Sequence, residues 1–204
     1  DPEAPPESAD VPLIVSTTLH DHATRYDNFD LDEAGLRAIF RSAWGERADA
    51  ILAAYRQESP NESPFRIQAK AFTDATRGAS MLQAERKARQ GRAPAYMYVW
   101  DWISPMYDGR YGAVHCHDVD ASFHQYRSPI TGAGTAEGRV MCDRMASAYV
   151  AFAKTGDPNN PLIPQWPAYD PVRRATMVFD AKMRVVDDYR GAFTRLINPE
   201  LQPR

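Results

Sequence analysis

Two short clusters of ionisable residues contain the side chain types that catalyse proton transfer. The sequence reads HDH at 20–22 and HCHD at 115–118. An imidazole accepts and returns a proton near neutral pH, and a carboxylate bonded to its second nitrogen fixes the tautomer and stabilises the imidazolium. Asp21 and His115 therefore have the types, and the chain order, of the acid and histidine that serve a nucleophile in hydrolases with an α/β sheet.

The nucleophile itself is not recognisable. No G-x-S-x-G motif occurs in the 204 residues, and its nearest approach, GASML at 78–82, lacks the second glycine and lies in a helical pattern. A glycine-rich segment that would supply an oxyanion hole is also missing. We expect Asp21 and His115 to serve a serine encoded before residue 1, so this chain alone is predicted to be inactive.

Strands and helices alternate along the chain, which is typical of an α/β protein. The apolar run 11–17 and the aromatic run 96–102 predict buried strands, and each lies before one of the two clusters. Ligand sites of parallel sheets form where the strands end, so the sequence predicts a parallel sheet with covering helices. Further predictions are a helix from about Asp32 with Asp30 or Asp32 as N-cap, helices over 47–56, 64–90, 136–154 and 188–197, and strands over 176–179 and 183–186 joined by a turn.

Composition limits the domain organisation and the partners. The chain is long enough for one sizeable core. Residues 1–10 are proline-rich and acidic, which predicts a linker, and 11–204 form the domain. A net charge of −3 argues against nucleic acid, and no apolar run approaches the roughly 18 residues that span a bilayer. Cys116 and Cys142 form either one bridge or two free thiols, which leaves the compartment open.

Four motifs resemble those of the type B carboxylesterases. VPLIVSTTLHD at 11–21 is similar to V-P-L-x-x-G-T-x-x-x-E, and Asp21 stands where that family has its catalytic acid. GAVHCHDV at 112–119 resembles G-A-x-H-G-x-E-L, whose histidine is catalytic and corresponds to His115. YVAFAKTGDPN at 149–159 resembles W-A-N-F-A-K-T-G-D-P-N, and WPAYD at 166–170 resembles W-P-x-Y.

The resemblance runs from residue 11 to about residue 180 and implies the C-terminal portion of an α/β-hydrolase domain. It implies hydrolysis of a small-molecule carboxylic ester through a serine acyl-enzyme, with no cofactor and no metal. The partner it implies is the N-terminal portion of the same hydrolase. Three residues depart from the pattern: Ser16 and Cys116 replace glycines, and Asp21 is one methylene shorter than the usual glutamate.

Two other functions stay open on the sequence. A carboxylesterase-like fold can act as a non-catalytic binding module. The H-x-H pairs at 20–22 and 115–117 would form a metal-binding domain if their imidazoles met around one ion. Half of an open sheet also exposes an edge strand. We therefore expect the chain to pair with its N-terminal portion or to form a homodimer through that edge.

Overall fold

The computed structural model describes residues 4–199, in which four strands and six α-helices alternate. The strands are β1 (Leu13–Thr18), β2 (Ala95–Trp100), β3 (Ala175–Phe179) and β4 (Arg184–Asp187). The helices are α1 (Glu33–Trp44), α2 (Ala48–Glu58), α3 (Pro64–Arg89), α4 (His117–Ser122), α5 (Ala136–Thr155) and α6 (Gly191–Ile197). Within residues 4–199, none of these helices combines the length and the apolar character that crossing a bilayer requires.

The strands form one sheet in the order β1-β2-β3-β4. β2 is parallel to both β1 and β3, and β4 returns antiparallel to β3. Thr18 lies opposite Trp100, and Trp100 lies opposite Phe179, so the carboxyl ends of the three parallel strands share one edge. The predicted parallel sheet with covering helices is confirmed, and so is the predicted turn between the last two strands.

Aromatic side chains make the main core on one face of the sheet. β2 and β3 are buried along their whole length, as their continuous apolar sequences predict. Trp100 and Phe179 stack at 6.0 Å between ring centroids, and Trp166 lies 5.9 Å from Phe179. Helix α5 covers this face with Met141 and Met145, which belong to the same cluster. The strand that leads to the His115 loop is therefore held in a buried, largely aromatic core.

Helices α1, α2 and α3 build a second core beside the sheet. Their buried residues include Leu36, Phe40 and Ile51, spaced as an amphipathic face requires. Asp32 caps the N-terminus of α1, and its carboxylate accepts a hydrogen bond from the Gly35 N–H at 2.7 Å. Of the two predicted N-caps, the structure therefore uses Asp32.

The structure adds one helix to those predicted from the sequence, moves the start of another and decides the state of the two cysteines. Helix α4 was not predicted, because it has six residues and starts from Cys116 in the left-handed region (φ 64) without a side-chain cap. The last helix starts at Gly191 instead of Asp188, since Asp188 and Arg190 both have positive φ. Cys116 is exposed, Cys142 is buried, and both thiols are free.

The N-terminal segment packs on the domain where it is described. The Lys87 ammonium of α3 donates to the carbonyl oxygens of Ser8 (2.6 Å) and Ala9 (2.9 Å). Ala9 is buried. Residues 4–10 of the predicted linker are thus docked along α3, and residues 1–3 lie outside the described range.

Candidate active site

The two ionisable clusters meet at the carboxyl edge of the sheet. Asp21 opens a short 3-10 turn three residues after β1 ends, and a parallel bridge between His20 and Val114 aligns this loop with the second one. His115 Nδ1 lies 2.8 Å from Asp21 Oδ1. The structure thus brings together the acid and the histidine predicted from the sequence, although 94 positions separate them.

Both side chains of the pair are partly exposed to solvent. The side chain of His115 is 56% exposed and that of Asp21 is 31% exposed. Asp21 Oδ1 also accepts from the Thr18 hydroxyl at 3.3 Å, which ties the carboxylate to the end of β1. With Nδ1–H donated to Asp21, Nε2 of His115 carries the free lone pair that can accept a proton.

His20 is buried behind this pair and joins the two loops. Its backbone N–H donates to the Ala113 carbonyl at 2.9 Å, and its Nδ1 accepts from the Ala113 N–H at 3.1 Å. Its Nε2 lies 3.1 Å from Glu62 Oε1. Burial lowers the pKa of His20 to about 4, although the hydrogen bond and the charge of Glu62 partly oppose this. His20 is therefore a neutral imidazole at pH 7.

Glu62 contacts His20, and sequence reasoning did not identify it. Burial alone would raise the pKa of this carboxyl, but His20 and Lys70 lower it well below its usual range. The Arg66 guanidinium also lies 2.9 Å from Glu62 Oε1. Glu62 precedes α3 by two residues and lies 42 positions from His20, so no local pattern connects them.

The other two histidines face different surroundings, so the four imidazoles do not converge. His22 stacks on Phe72 with ring centroids 6.5 Å apart. His117 packs between Trp100 and Trp102, at 5.1 Å from each ring. Across the described range 4–199, no group of three or more histidine, cysteine, aspartate or glutamate side chains is arranged to hold a metal ion. This geometry gives the metal-binding interpretation no support.

Asp118 and Cys116 flank the histidine but serve other purposes. Asp118 is buried and accepts from the Tyr98 hydroxyl at 2.8 Å, and burial raises the pKa of its carboxyl. It thereby anchors the start of α4. Burial, together with Asp118 and Asp21, raises the pKa of the exposed Cys116 thiol. A nucleophilic thiol needs a lowered pKa, so Cys116 is not activated.

Two surface clefts lie beside the site. A charged cleft of about 400 Å³ has His20, Glu62 and Lys70 in its wall. A second cleft, of about 520 Å³, runs past Trp102 and Glu137. Asp21 and His115 line neither of these two clefts, and both side chains are partly exposed.

Comparison with known proteins points to one family. Residues 10–196 match the sequence profile of the carboxylesterase family. The phenmedipham hydrolase of Pseudarthrobacter oxydans is 27% identical over 183 residues, which are 82% of this chain and 36% of that protein. The para-nitrobenzyl esterase of Bacillus subtilis (strain 168) is 28% identical over 107 residues, 52% of this chain and 22% of that protein.

Solved structures agree with the sequence matches. An esterase from anaerobic Clostridium hathewayi, described as able to hydrolyse aliphatic aromatic polyesters, aligns with a TM-score of 0.72 and 25% identity. The alignment covers 93% of this chain and 38% of that one. A carboxylesterase of Geobacillus stearothermophilus aligns with a TM-score of 0.71 and 25% identity, over 91% of this chain and 40% of that one. The chain therefore spans less than half the length of the relatives it matches.

Proposed function

The chain belongs to the carboxylesterase family, and on that premise we propose that it supplies the acid and the histidine of a serine esterase. Its sheet and helices are part of an α/β-hydrolase fold. The observation that carries the proposal is the 2.8 Å contact between His115 Nδ1 and Asp21 Oδ1, in a histidine whose side chain is 56% exposed.

The chemistry that this pair supports is acyl transfer. A serine outside these 204 residues attacks the carbonyl carbon of a small carboxylic ester, and His115 Nε2 takes the hydroxyl proton. His115 then returns that proton to the leaving alcohol oxygen as the ester bond breaks. A water molecule attacks the acyl-enzyme and gives a proton to His115, which returns it to the serine oxygen as the acyl–serine bond breaks and the carboxylic acid leaves. Asp21 stabilises the imidazolium in both steps.

The nucleophile belongs, in this proposal, to an N-terminal portion of the same hydrolase. The supporting observations are the lack of a G-x-S-x-G motif in the chain and its coverage of 36% of the phenmedipham hydrolase. We expect the purified chain alone to show no turnover of a short p-nitrophenyl ester and no labelling by a serine-reactive phosphonate. Addition of the N-terminal portion should restore both. Phosphonate labelling of a serine within residues 1–204 would contradict the assignment.

A matched pair of variants tests the histidine in the active form. His115→Asn should abolish turnover because no proton acceptor remains. His124→Asn is the control, since His124 is also an exposed histidine bonded to a carboxylate, Asp143, at 2.6 Å. Asparagine also tolerates the left-handed backbone at residue 124 (φ 59). Activity of His115→Asn close to wild type would refute the proposal, and a complete absence of turnover in the wild-type assembly would favour the non-catalytic binding module.

A further inference from the structure

We propose that His20 is a positioning residue for the Asp21–His115 pair, because its buried imidazole locks the histidine loop against the acid loop. The inference rests on the proposed function of that pair and adds a third residue, a second histidine, that does not touch substrate. Three sets of contacts carry the argument: those to Ala113, to Gly112 and to Glu62.

His20 and Ala113 each donate one hydrogen bond to the other. The His20 N–H donates to the Ala113 carbonyl at 2.9 Å, and the Ala113 N–H donates to His20 Nδ1 at 3.1 Å. His20 directly precedes Asp21, and Ala113 lies two residues before His115. The two bonds therefore set the distance between the backbones that carry the acid and the histidine.

Gly112 allows this close approach. Its φ is +70, and a Cβ added there would lie 2.5 Å from His20 Nδ1. Only a glycine lets the loop backbone pass directly against the imidazole. The ring of His20 thus fills the space that a side chain at 112 would need, which makes the contact specific to this pair of residues.

Glu62 sets the tautomer of His20. Because Nδ1 accepts from Ala113, the ring proton resides on Nε2, which lies 3.1 Å from Glu62 Oε1. Glu62 is itself paired with Lys70 and Arg66. The other tautomer would place two N–H groups face to face at Ala113 and turn a nitrogen lone pair toward the Glu62 carboxylate, so one tautomer is strongly favoured.

Loss of the hydrogen bond between His20 Nδ1 and Ala113 should lower the catalytic rate more than it weakens substrate binding. A shift of about 1 Å in a catalytic group costs on the order of 10²-fold in rate. The side chain of His20 is only 1% exposed, so its replacement removes almost no surface that a substrate could contact. We therefore expect variants that lose the Nδ1 acceptor to lower kcat with little change in KM.

Three substitutions distinguish the roles of Nδ1 and Nε2 of His20. Each variant is compared with the wild type by kcat and KM of the complete hydrolase on a p-nitrophenyl ester. Asparagine carries an acceptor oxygen near the place of Nδ1, glutamine carries its amide near the place of Nε2, and leucine has neither. His20→Gln and His20→Leu should lower kcat on the order of 10²-fold. His20→Asn should retain most of the wild-type kcat. Equal effects of His20→Asn and His20→Gln would overturn the proposal.

Nuclear magnetic resonance of the imidazoles in the 204-residue chain adds a test that needs no activity. In the wild type, His20 should be protonated at Nε2 only, and the Nδ1 proton of His115 should resonate far downfield because it is shared with Asp21. The His115 signal should move upfield in His20→Gln and remain in His20→Asn. Protonation of wild-type His20 at Nδ1 would overturn the proposal even if no variant folded.

The two hypotheses fail in different ways. Full turnover by His115→Asn would refute the proposed function. In that case the signals of His20 and His115 would still decide whether His20 locks the loops. Loss of turnover in His115→Asn together with wild-type kcat in His20→Gln would refute the positioning role alone.

Discussion

The shorter acid at position 21 still reaches the histidine. An aspartate in place of glutamate removes one methylene, yet Asp21 Oδ1 lies 2.8 Å from His115 Nδ1. The reach is possible because Asp21 begins a tight turn beside the His115 loop. A parallel β-bridge between His20 and Val114 aligns the two loops.

Replacement of Asp21 by asparagine tests that contact. An amide can present its N–H to Nδ1 and favour the wrong tautomer, so Asp21→Asn should lower kcat by roughly 10⁴-fold in the complete hydrolase. Asp143→Asn is the matched control, because Asp143 is an exposed carboxylate that bonds His124 away from the pair. An unchanged ester hydrolysis rate in Asp21→Asn would remove Asp21 from the relay.

Replacement of Gly112 by alanine tests the close approach to His20. Gly112→Ala and Gly91→Ala both place a side chain at positive φ, at a cost of about 1–2 kcal/mol each. Only at Gly112 does the new Cβ meet a ring, since nothing lies within 4 Å at Gly91. Chemical denaturation should show a clearly larger loss of unfolding free energy for Gly112→Ala. Equal losses would mean that the His20 ring moves aside freely.

Between elements, a buried carboxylate joins the helices to the sheet. Asp74 of α3 is fully buried and accepts from the Tyr55 hydroxyl at 2.6 Å and from Arg190 Nη2 at 2.6 Å. Burial would raise the pKa of Asp74, but Arg190 and Arg77 outweigh it and lower the pKa. Arg77 continues to β1, donating to the Thr17 hydroxyl at 2.5 Å. The strand that leads to Asp21 is thereby held by α3.

Breaking this cluster should destabilise the whole chain. Asp74→Asn leaves the buried guanidinium of Arg77 without its counter-charge and leaves Arg190 with Glu58 alone, which costs about 3–5 kcal/mol of unfolding free energy. Asp49→Asn is the control, since Asp49 pairs with Arg37 on the exposed face of the helices and exposed pairs contribute little. Urea denaturation measures both. Similar stability of the two variants would show that the buried cluster is not structurally important.

At the scale of the molecule, two buried neutral histidines make folding sensitive to acid. Burial lowers the pKa of His117 to about 3 and that of His20 to about 4, from 6.5 in an unfolded chain. Between these values the unfolded state binds more protons than the folded state. Stability should therefore fall below pH 6.5, by about 1.4 kcal/mol per pH unit for each histidine.

His117→Leu separates one of these contributions. Both ring nitrogens of His117 are buried and have no hydrogen-bond partner among residues 4–199, so an apolar side chain suits the space between Trp100 and Trp102. In the variant, the slope of the unfolding free energy against pH should be smaller by the equivalent of about one proton between pH 4 and pH 6.5. Denaturation curves over this range measure it, and an unchanged slope would contradict the depressed pKa of His117.

The open edge of the sheet should govern association. Within the described residues, β1 pairs only with β2, and four of its six residues are only half-buried. An unpaired edge strand is a template for another strand. Size-exclusion chromatography should show the chain either bound to the N-terminal portion or as a concentration-dependent dimer. A monomer at every concentration, with no companion, would contradict both expectations.

Local patterns determined the types of the elements and the chemistry of their loops. The apolar and aromatic runs predicted β1 and β2, and helical spacing predicted α3 and α5 to within two residues, because periodicity and capping act over one or two turns. The two ionisable clusters were also visible, since each is contiguous in the sequence. Residue type and chain order alone were therefore enough to propose Asp21 and His115 as partners.

Only the tertiary structure decided which side chains meet. The register of β1 against β2 places Asp21 within reach of His115, and the same alignment seats His20 against Ala113. Glu62 reaches His20 only because α3 packs beside β1, and neither sequence nor spacing indicates that contact. Cys116 has a left-handed backbone, so the chain turns between its two neighbours. His115 therefore lies at the surface and His117 in the core. Local sequence sets propensity and face, whereas contacts across the chain depend on how the elements pack.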